Sequence, residues 1–152
     1  MIEADPKMYS PFLIFAEGST SNNTHIMKFK KGAFYSGKKI KPIFLKYSFC
    51  SLSPAFETVE LIPLIILQMS QCCCQVEVGI MPDFKPNNYL YETHADKGRE
   101  KWEIYAWAVR DAIAKTGGFK ICDVPHRVKM EYEFYMRRLP HAKHPVETWA
   151  DY

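Results

Sequence analysis

The sequence predicts an α/β fold because short apolar runs of strand length alternate with segments that have helical character. The run at 12–15 stops abruptly at a carboxylate and a glycine, as strands do where they reach the edge of a sheet. A long segment at 99–116 repeats its apolar residues at helical spacing. The chain has 152 residues, of which 47% are hydrophobic and 24% charged, so it is long enough for one domain with a core.

The first predicted element is a short buried strand over Phe12–Phe15 that delivers Glu17 to a turn. In open α/β sheets, ligands gather at the carboxyl ends of strands. Gly18 allows the backbone to turn sharply there or to come close to a ligand. A strand followed by an ordinary polar loop is the competing interpretation of this pattern.

The middle of the chain predicts three more strands, with a hydrophobic helix between the second and the third. A strand is expected over 40–47, after a shorter one over 25–29. A hydrophobic helix is expected near 59–72 and a strand over 75–81.

Two helices are expected in the last third of the chain. The first spans 99–116 and ends at Gly117 and Gly118, since glycine is favoured at helix C-termini. The second covers 130–138, and the residues after it are predicted to be extended. We divide the chain into a lead-in over 1–11, an α/β domain over 12–122, and a C-terminal helix with an extended tail over 123–152.

Charge is distributed unevenly along the chain. Residues 1–50 contain eight lysines and three acidic residues, a net charge of +5, whereas the remainder carries −2. A basic half favours anionic partners such as phosphates, lipid head groups or nucleic acid. Nucleic acid is the least favoured of these, since few aromatic residues lie among the lysines and no binding motif is found.

The cysteine pattern predicts an intracellular protein. Cys72, Cys73 and Cys74 are consecutive, so they cannot pair with one another in good disulfide geometry, and we expect small, buried, reduced thiols. No spacing of cysteines or histidines predicts a metal site. The charged N-terminus does not resemble a secretory signal, and no apolar run reaches the ~20 residues that cross a bilayer.

The segment from Phe12 to Phe34 resembles the third sequence block of the glycerolipid (lysophospholipid) acyltransferases. That block reads Phe-Pro-Glu-Gly-Thr-x-Ser and then Phe-Lys-x-Gly-Ala-Phe. The matching residues here are Phe15, Glu17, Gly18 and Ser21, and then Phe29, Lys30, Gly32, Ala33 and Phe34. Ala16 and Ser19 replace the family's proline and threonine.

Two later segments extend the resemblance to roughly 12–136. Pro42, within Ile40–Ile43, is similar to the fourth block of the family. The hydrophobic segment leading to Gln75–Pro82 is similar to the lysophosphatidylcholine acyltransferase branch in particular.

This resemblance implies a mostly parallel sheet flanked by helices, present as the C-terminal half of an acyltransferase domain. It implies acyl transfer from acyl-CoA to a lysophospholipid hydroxyl, with acyl-CoA as co-substrate and no bound cofactor. Glu17, Gly18 and Ser19 would bind the acceptor, with Lys30 and Lys31 as electrostatic support. Phospholipid or a membrane surface would be the partner, at the endoplasmic reticulum or a mitochondrial membrane.

The catalytic block of the family, His-x-x-x-x-Asp, has no counterpart in these 152 residues. None of the five histidines is followed by an aspartate five positions on, and the nearest case is His126 with Glu131. We therefore assign no catalytic residue and expect the chain to be inactive alone. Three explanations remain open: another chain or segment completes the enzyme, the chain is a non-catalytic structural subunit of a larger assembly, or its basic half binds nucleic acid.

Overall fold

The structure is a computed structural model that describes residues 12–49 and 59–137. In chain order its elements are β1 (His25–Ile26), β2 (Ile43–Phe49), α1 (Leu61–Met69), β3 (Cys74–Ile80), α2 (Asn88–Thr93), α3 (Lys101–Gly117), β4 (Lys120–Ile121) and α4 (His126–Met136). Short 3-10 turns lie at Lys31–Ala33 and Ala95–Lys97. The predicted lead-in over 1–11 and the tail beyond Arg137 lie outside the described residues.

The longest helix, α3, has a defined signal at each end. Glu100 and Glu103 form a reciprocal capping box, in which each carboxylate accepts a hydrogen bond from the other residue's backbone N–H. At the other end Gly118 has a φ of 69°, in the left-handed region that glycine adopts without strain. The predicted helix and its glycine stop are confirmed, with a shift of one or two residues at each end.

The core is built around the buried face of α3. Tyr105 is completely buried and packs edge-to-face on Phe34, with 5.3 Å between the ring centroids, and stacks on Phe84 at 5.6 Å. Its hydroxyl lies 2.9 Å from the carbonyl oxygen of Lys38 and 3.1 Å from that of Phe84. One side chain therefore fastens two separate loops to the helix.

The strands within 12–49 and 59–137 form two small sheets, each with two strands. β1 pairs with β4 in parallel, and β2 pairs with β3 antiparallel from Ile43 opposite Ile80 to Phe49 opposite Cys74. The mixture of helices and strands is confirmed. In the described residues, however, the longer ladder is antiparallel, so the expected predominance of parallel pairing is not observed.

One face of the β2–β3 ladder packs inward. Phe44 is buried and meets Phe119, which follows α3, at 5.6 Å between ring centroids. Gly79 lies opposite Phe44, and a side-chain Cβ at that position would overlap the Phe44 ring. Close packing of the Phe44 ring against β3 thus requires glycine at position 79.

The buried strand predicted over Phe12–Phe15 is wrong. These residues form no strand, and Phe12, Leu13 and Phe15 are each more than two-thirds exposed. A strand needs a neighbour for its backbone N–H and C=O groups. Among the described strands β1 pairs with β4 and β2 with β3, so 12–15 has no partner there.

The remaining elements differ from prediction mainly at their ends. β1 is shorter than predicted, and α4 begins four residues before the predicted start at Met130. Neither α1 nor any other helix within 12–49 and 59–137 has both the length and the apolar character to cross a bilayer.

The burial predicted for the cysteines is also wrong where the structure describes them. Cys72, Cys73 and Cys74 are exposed, and Cys122 is half-buried. Cys72 and Cys73 lie in the connection from α1 to β3, which runs over the surface, where chain connections normally lie.

Candidate functional site

The candidate site is built on the turn that follows the exposed segment 12–15. The Gly18 amide donates to the Phe15 carbonyl at 3.1 Å, and Gly18 has a φ of 71°. The Lys30 amide donates to the Ala16 carbonyl at 2.8 Å, which ties the turn to the segment after β1. The Lys30 side chain lies directly against Gly18, where a Cβ would meet its Nζ at 2.5 Å. The backbone angle favours glycine at position 18, whereas the flexible end of the Lys30 side chain could move aside for a larger residue.

The Glu17 carboxylate is half-buried and stabilises the turn by a hydrogen bond to the backbone. Its Oε1 accepts a hydrogen bond from the Met27 amide at 2.7 Å. Burial raises the pKa of the Glu17 carboxyl above its ordinary value of 4.5, while the Met27 amide, the Lys129 ammonium and the Ser21 hydroxyl each lower it in part. The structure therefore places Glu17 and Ser21 together, as the block of sequence predicts.

A lysine from α4 closes the other side of the turn. The Lys129 Nζ donates to the Ser19 Oγ at 3.0 Å and to the Thr20 carbonyl oxygen. It also pairs with the Glu133 carboxylate at 3.1 Å, and both side chains are nearly buried, at 13% and 8% exposed. Ser19 is thereby held in place, and α4 is fixed on the turn.

His126 lies at the first turn of α4, in the same cationic surroundings. Its Nε2 is buried and has no hydrogen-bond partner among the described residues. Burial lowers the pKa of the His126 imidazole below its ordinary value of 6.5, and Lys30 and Lys129 lower it further, while Glu133 raises it in part. The lowered pKa favours the neutral form of the imidazole near pH 7.

The two lysines of the sequence block have different surroundings. Lys30 lies beside Gly18 at the turn. Lys31 instead pairs with Glu100 at 3.0 Å, before α3, and its Nζ lies 5.1 Å from the centroid of the Tyr35 ring. The structure therefore brings Lys30 to the Glu17 turn and directs Lys31 to the start of α3.

The structure also describes the other residues of the sequence motif, Phe15, Gly32 and Pro42. Phe15 is exposed, and Gly32 lies in the 3-10 turn with open space around it. Pro42 is buried immediately before β2, and its carbonyl accepts from the Met81 amide at 3.0 Å. Pro42 therefore extends the hydrogen bonding of the ladder by one residue beyond Ile43.

Sequence reasoning missed Lys129, His126 and Glu133 as members of the site. The Lys129–Glu133 pair has the i,i+4 spacing of a helical ion pair, which was the one available signal. Nothing in the sequence indicates that this pair meets Ser19, since 110 positions separate Ser19 from Lys129. In the described part of the chain no group of three or more metal-ligating side chains comes together.

Known proteins that are similar to this chain include several lysophospholipid acyltransferases. A lysophosphatidylcholine acyltransferase of Drosophila melanogaster is 32% identical over 113 residues, which is 73% of this chain. The chain is a homologue of the lysophospholipid acyltransferases. Lysophospholipid acyltransferase LPEAT1 of Arabidopsis thaliana is 27% identical over 74% of the chain, and human lysophosphatidylcholine acyltransferase 2 is 28% identical over 73%.

The matched segment is a small part of each relative. It spans 20% of the Drosophila acyltransferase, 26% of the Arabidopsis acyltransferase and 19% of the human one. No family model matches the chain, and no solved structure matches it. The resemblance to the acyltransferase superfamily and to its lysophosphatidylcholine branch is confirmed by the relatives.

Proposed function

We propose that this chain contributes the acceptor-binding part of an acyl-CoA-dependent lysophospholipid acyltransferase, as the C-terminal half of its catalytic domain. The observation that carries the proposal is the Glu17 turn, which is braced internally by the Met27 amide and flanked by Lys30 and Lys129. Glu17, Gly18 and Lys30 belong to the block of sequence that resembles the acyltransferases.

The turn can bind a polar, anionic acceptor without rearranging. Gly18 leaves the backbone accessible, and the Ser19 hydroxyl is oriented by Lys129. Lys30 is exposed beside Gly18 and supplies a positive charge that attracts phosphate as a point charge. Held in this way, the hydroxyl of the acceptor would face an acyl-CoA thioester at a fixed distance, which lowers the barrier to attack.

The general base in this proposal is not among the residues of the chain. Acyl transfer of this kind requires a group that removes the proton of the acceptor hydroxyl as it attacks the thioester. None of the five histidines has an aspartate five positions on, so we infer that a histidine in another segment or chain acts as the base. That segment would also cover apolar surface near Phe12–Phe15, and the assembly would lie at a membrane, where lysophospholipids are found.

The test is a fusion of the full chain to the catalytic block of the Drosophila homologue. Release of free CoA from palmitoyl-CoA with lysophosphatidylcholine is measured for the chain alone and for the fusion. We expect no turnover for the chain alone and measurable turnover for the fusion. Turnover by the chain alone would refute the inference that its base lies elsewhere.

Two substitutions at Glu17 separate its charge from its bracing role. Glu17→Gln keeps an oxygen that can accept from the Met27 amide, whereas Glu17→Ala removes it. If the carboxylate contacts the acceptor, both variants of the fusion lose at least tenfold in kcat/KM. Glu92→Ala, at an exposed position in α2, is the control and should retain full activity.

A non-catalytic structural subunit is the second candidate function. It is favoured by the same bracing of Glu17, since the Met27 amide and the Ser21 hydroxyl already hydrogen-bond to the carboxylate. If the chain is such a structural subunit, the fusion would be inactive. Glu17→Ala would then lower the free energy of unfolding and leave turnover unaffected.

A further inference from the structure

The exposed cysteines after α1 lie beside apolar surface, so an acyl chain attached to one of them would lie next to that surface. Cys72 and Cys74 are both exposed, and they lie at the junction between α1 and β3. A reactive thiol must reach solvent to be modified, and this pair does.

The first apolar surface at this junction is one face of the β2–β3 ladder, which we call the outer face. Side chains alternate along a strand, so Cys74 shares a face of β3 with Val76, Val78 and Ile80. The register places β2 residues of the same face opposite them. The outer face therefore contains the half-buried Tyr47, opposite Val76, and five aliphatic side chains that are each between 40% and 63% exposed: Ile43, Leu45, Val76, Val78 and Ile80.

The second apolar surface is helix α1. Its sequence, Leu61–Met69, contains no charged residue. Apart from Leu64, which is buried, its apolar side chains are exposed, and Ile62 and Met69 are more than 70% exposed. Water-exposed apolar surface on this scale marks an interaction site.

Lipid is the occupant that this surface fits. A protein partner normally surrounds its apolar contacts with a polar rim, whereas α1 offers a partner no charge with which to pair. At nine residues α1 is about 13 Å long, too short to cross a hydrocarbon layer of about 30 Å, so it can lie in the surface of a bilayer and not span it. Cysteines beside such a helix are typical sites of reversible S-acylation.

We propose that Cys72 and Cys74 are S-acylated by a long-chain acyl-CoA, and that the acyl chains and α1 together anchor the protein on a lipid bilayer. The Sγ thiolate attacks the thioester carbonyl of the acyl-CoA. A new cysteinyl thioester forms, the bond to the CoA sulfur breaks, and CoA leaves as the thiol with the proton that the cysteine lost. A single acyl chain gives weak, reversible binding, so stable anchoring takes the second signal that α1 provides.

The anchor is independent of the Glu17 turn, and its test does not depend on acyltransferase activity. The full chain is expressed in cultured eukaryotic cells with an alkyne analogue of palmitate, and the label that hydroxylamine removes at neutral pH is measured. We expect such a label on the wild type, at least fivefold less on Cys72→Ser/Cys74→Ser, and no change for Cys122→Ser, which alters a half-buried thiol elsewhere. Absence of the label, or its retention by the double variant, would overturn the proposal.

Anchoring is measured by flotation of the labelled protein with phosphatidylcholine vesicles. The floating fraction should fall at least threefold after hydroxylamine treatment of the wild type, which needs no substitution. It should also fall in Ile62→Asn/Ile66→Asn, where two exposed side chains of α1 become polar and both thiols remain. Flotation that neither change reduces would show that the surface does not bind lipid.

Discussion

The contact between α4 and the Glu17 turn gives the sharpest prediction about stability. Replacing Lys129 by methionine keeps the aliphatic part of the side chain. It removes the hydrogen bonds to Ser19 and Thr20 and the ion pair with Glu133. Because the Glu133 side chain is 8% exposed, its charge is left in a poorly solvated position. Breaking a buried ion pair from one side costs about 3–5 kcal/mol, and the partial exposure of Lys129 places the expectation near the lower end, at about 3 kcal/mol.

A matched control exists in α3. Lys115 and Asp111 have the same i,i+4 spacing and an N–O distance of 2.6 Å, but Lys115 is 76% exposed. Lys115→Met should cost less than about 0.5 kcal/mol, because exposed helical pairs contribute little. The two lysines thus differ in the burial of the pair and in the hydrogen bonds that Lys129 donates to Ser19 and Thr20.

The assay is denaturant unfolding of the full chain at pH 7, together with amide hydrogen exchange across α4. Hydrogen exchange is needed because a terminal helix such as α4 can open locally before the rest of the chain unfolds. The double variant Lys129→Met/Glu133→Leu, which removes both charges, should recover most of the loss. A Lys129→Met cost no larger than that of Lys115→Met, or a double variant as unstable as the single one, would refute the reasoning.

Two further predictions concern the same turn. The lowered pKa of His126 means that the unfolded chain takes up this proton more readily than the folded one, so stability should fall as pH drops through about 6.5. His126→Gln should flatten the dependence of the unfolding midpoint on pH between about 5 and 7, and a dependence as steep as that of the wild type would contradict the reasoning. Gly18→Ala should lower the free energy of unfolding by about 1–3 kcal/mol, since alanine is strained at a φ of 71° and its Cβ meets the Lys30 side chain. Gly32→Ala, which meets open space, should cost less than half as much, and equal costs measured by urea unfolding would count against the strain.

The elements that sequence predicted well are those whose signals are local. The capping residues of α3 and its Gly118 stop lie within a few residues of the helix they define. The alternation in β2 and β3 likewise follows from consecutive side chains. The residues of the Phe12–Phe34 segment were sufficient to indicate the acyltransferase family that the comparisons then supported.

The predictions that were wrong have a common cause, because each concerned burial, which depends on residues that are distant in the sequence. Residues 12–15 are as apolar as a buried strand, but burial requires a covering surface, and the described residues provide none. Cys72 and Cys73 resemble core residues by type, but their position in a surface connection exposes them. Local sequence does not encode what packs against it.

The sequence by itself determined the family, the long helix and the residues of the Glu17 turn. Only the tertiary structure decided that Lys129 closes that turn, that His126 lies beside it, and that Lys31 is paired with Glu100. The physical reason is that backbone conformation depends on neighbours along the chain, whereas the charge, burial and hydrogen bonding of a side chain depend on neighbours in space. Ser19 and Lys129 are 110 residues apart in the first sense and in contact in the second.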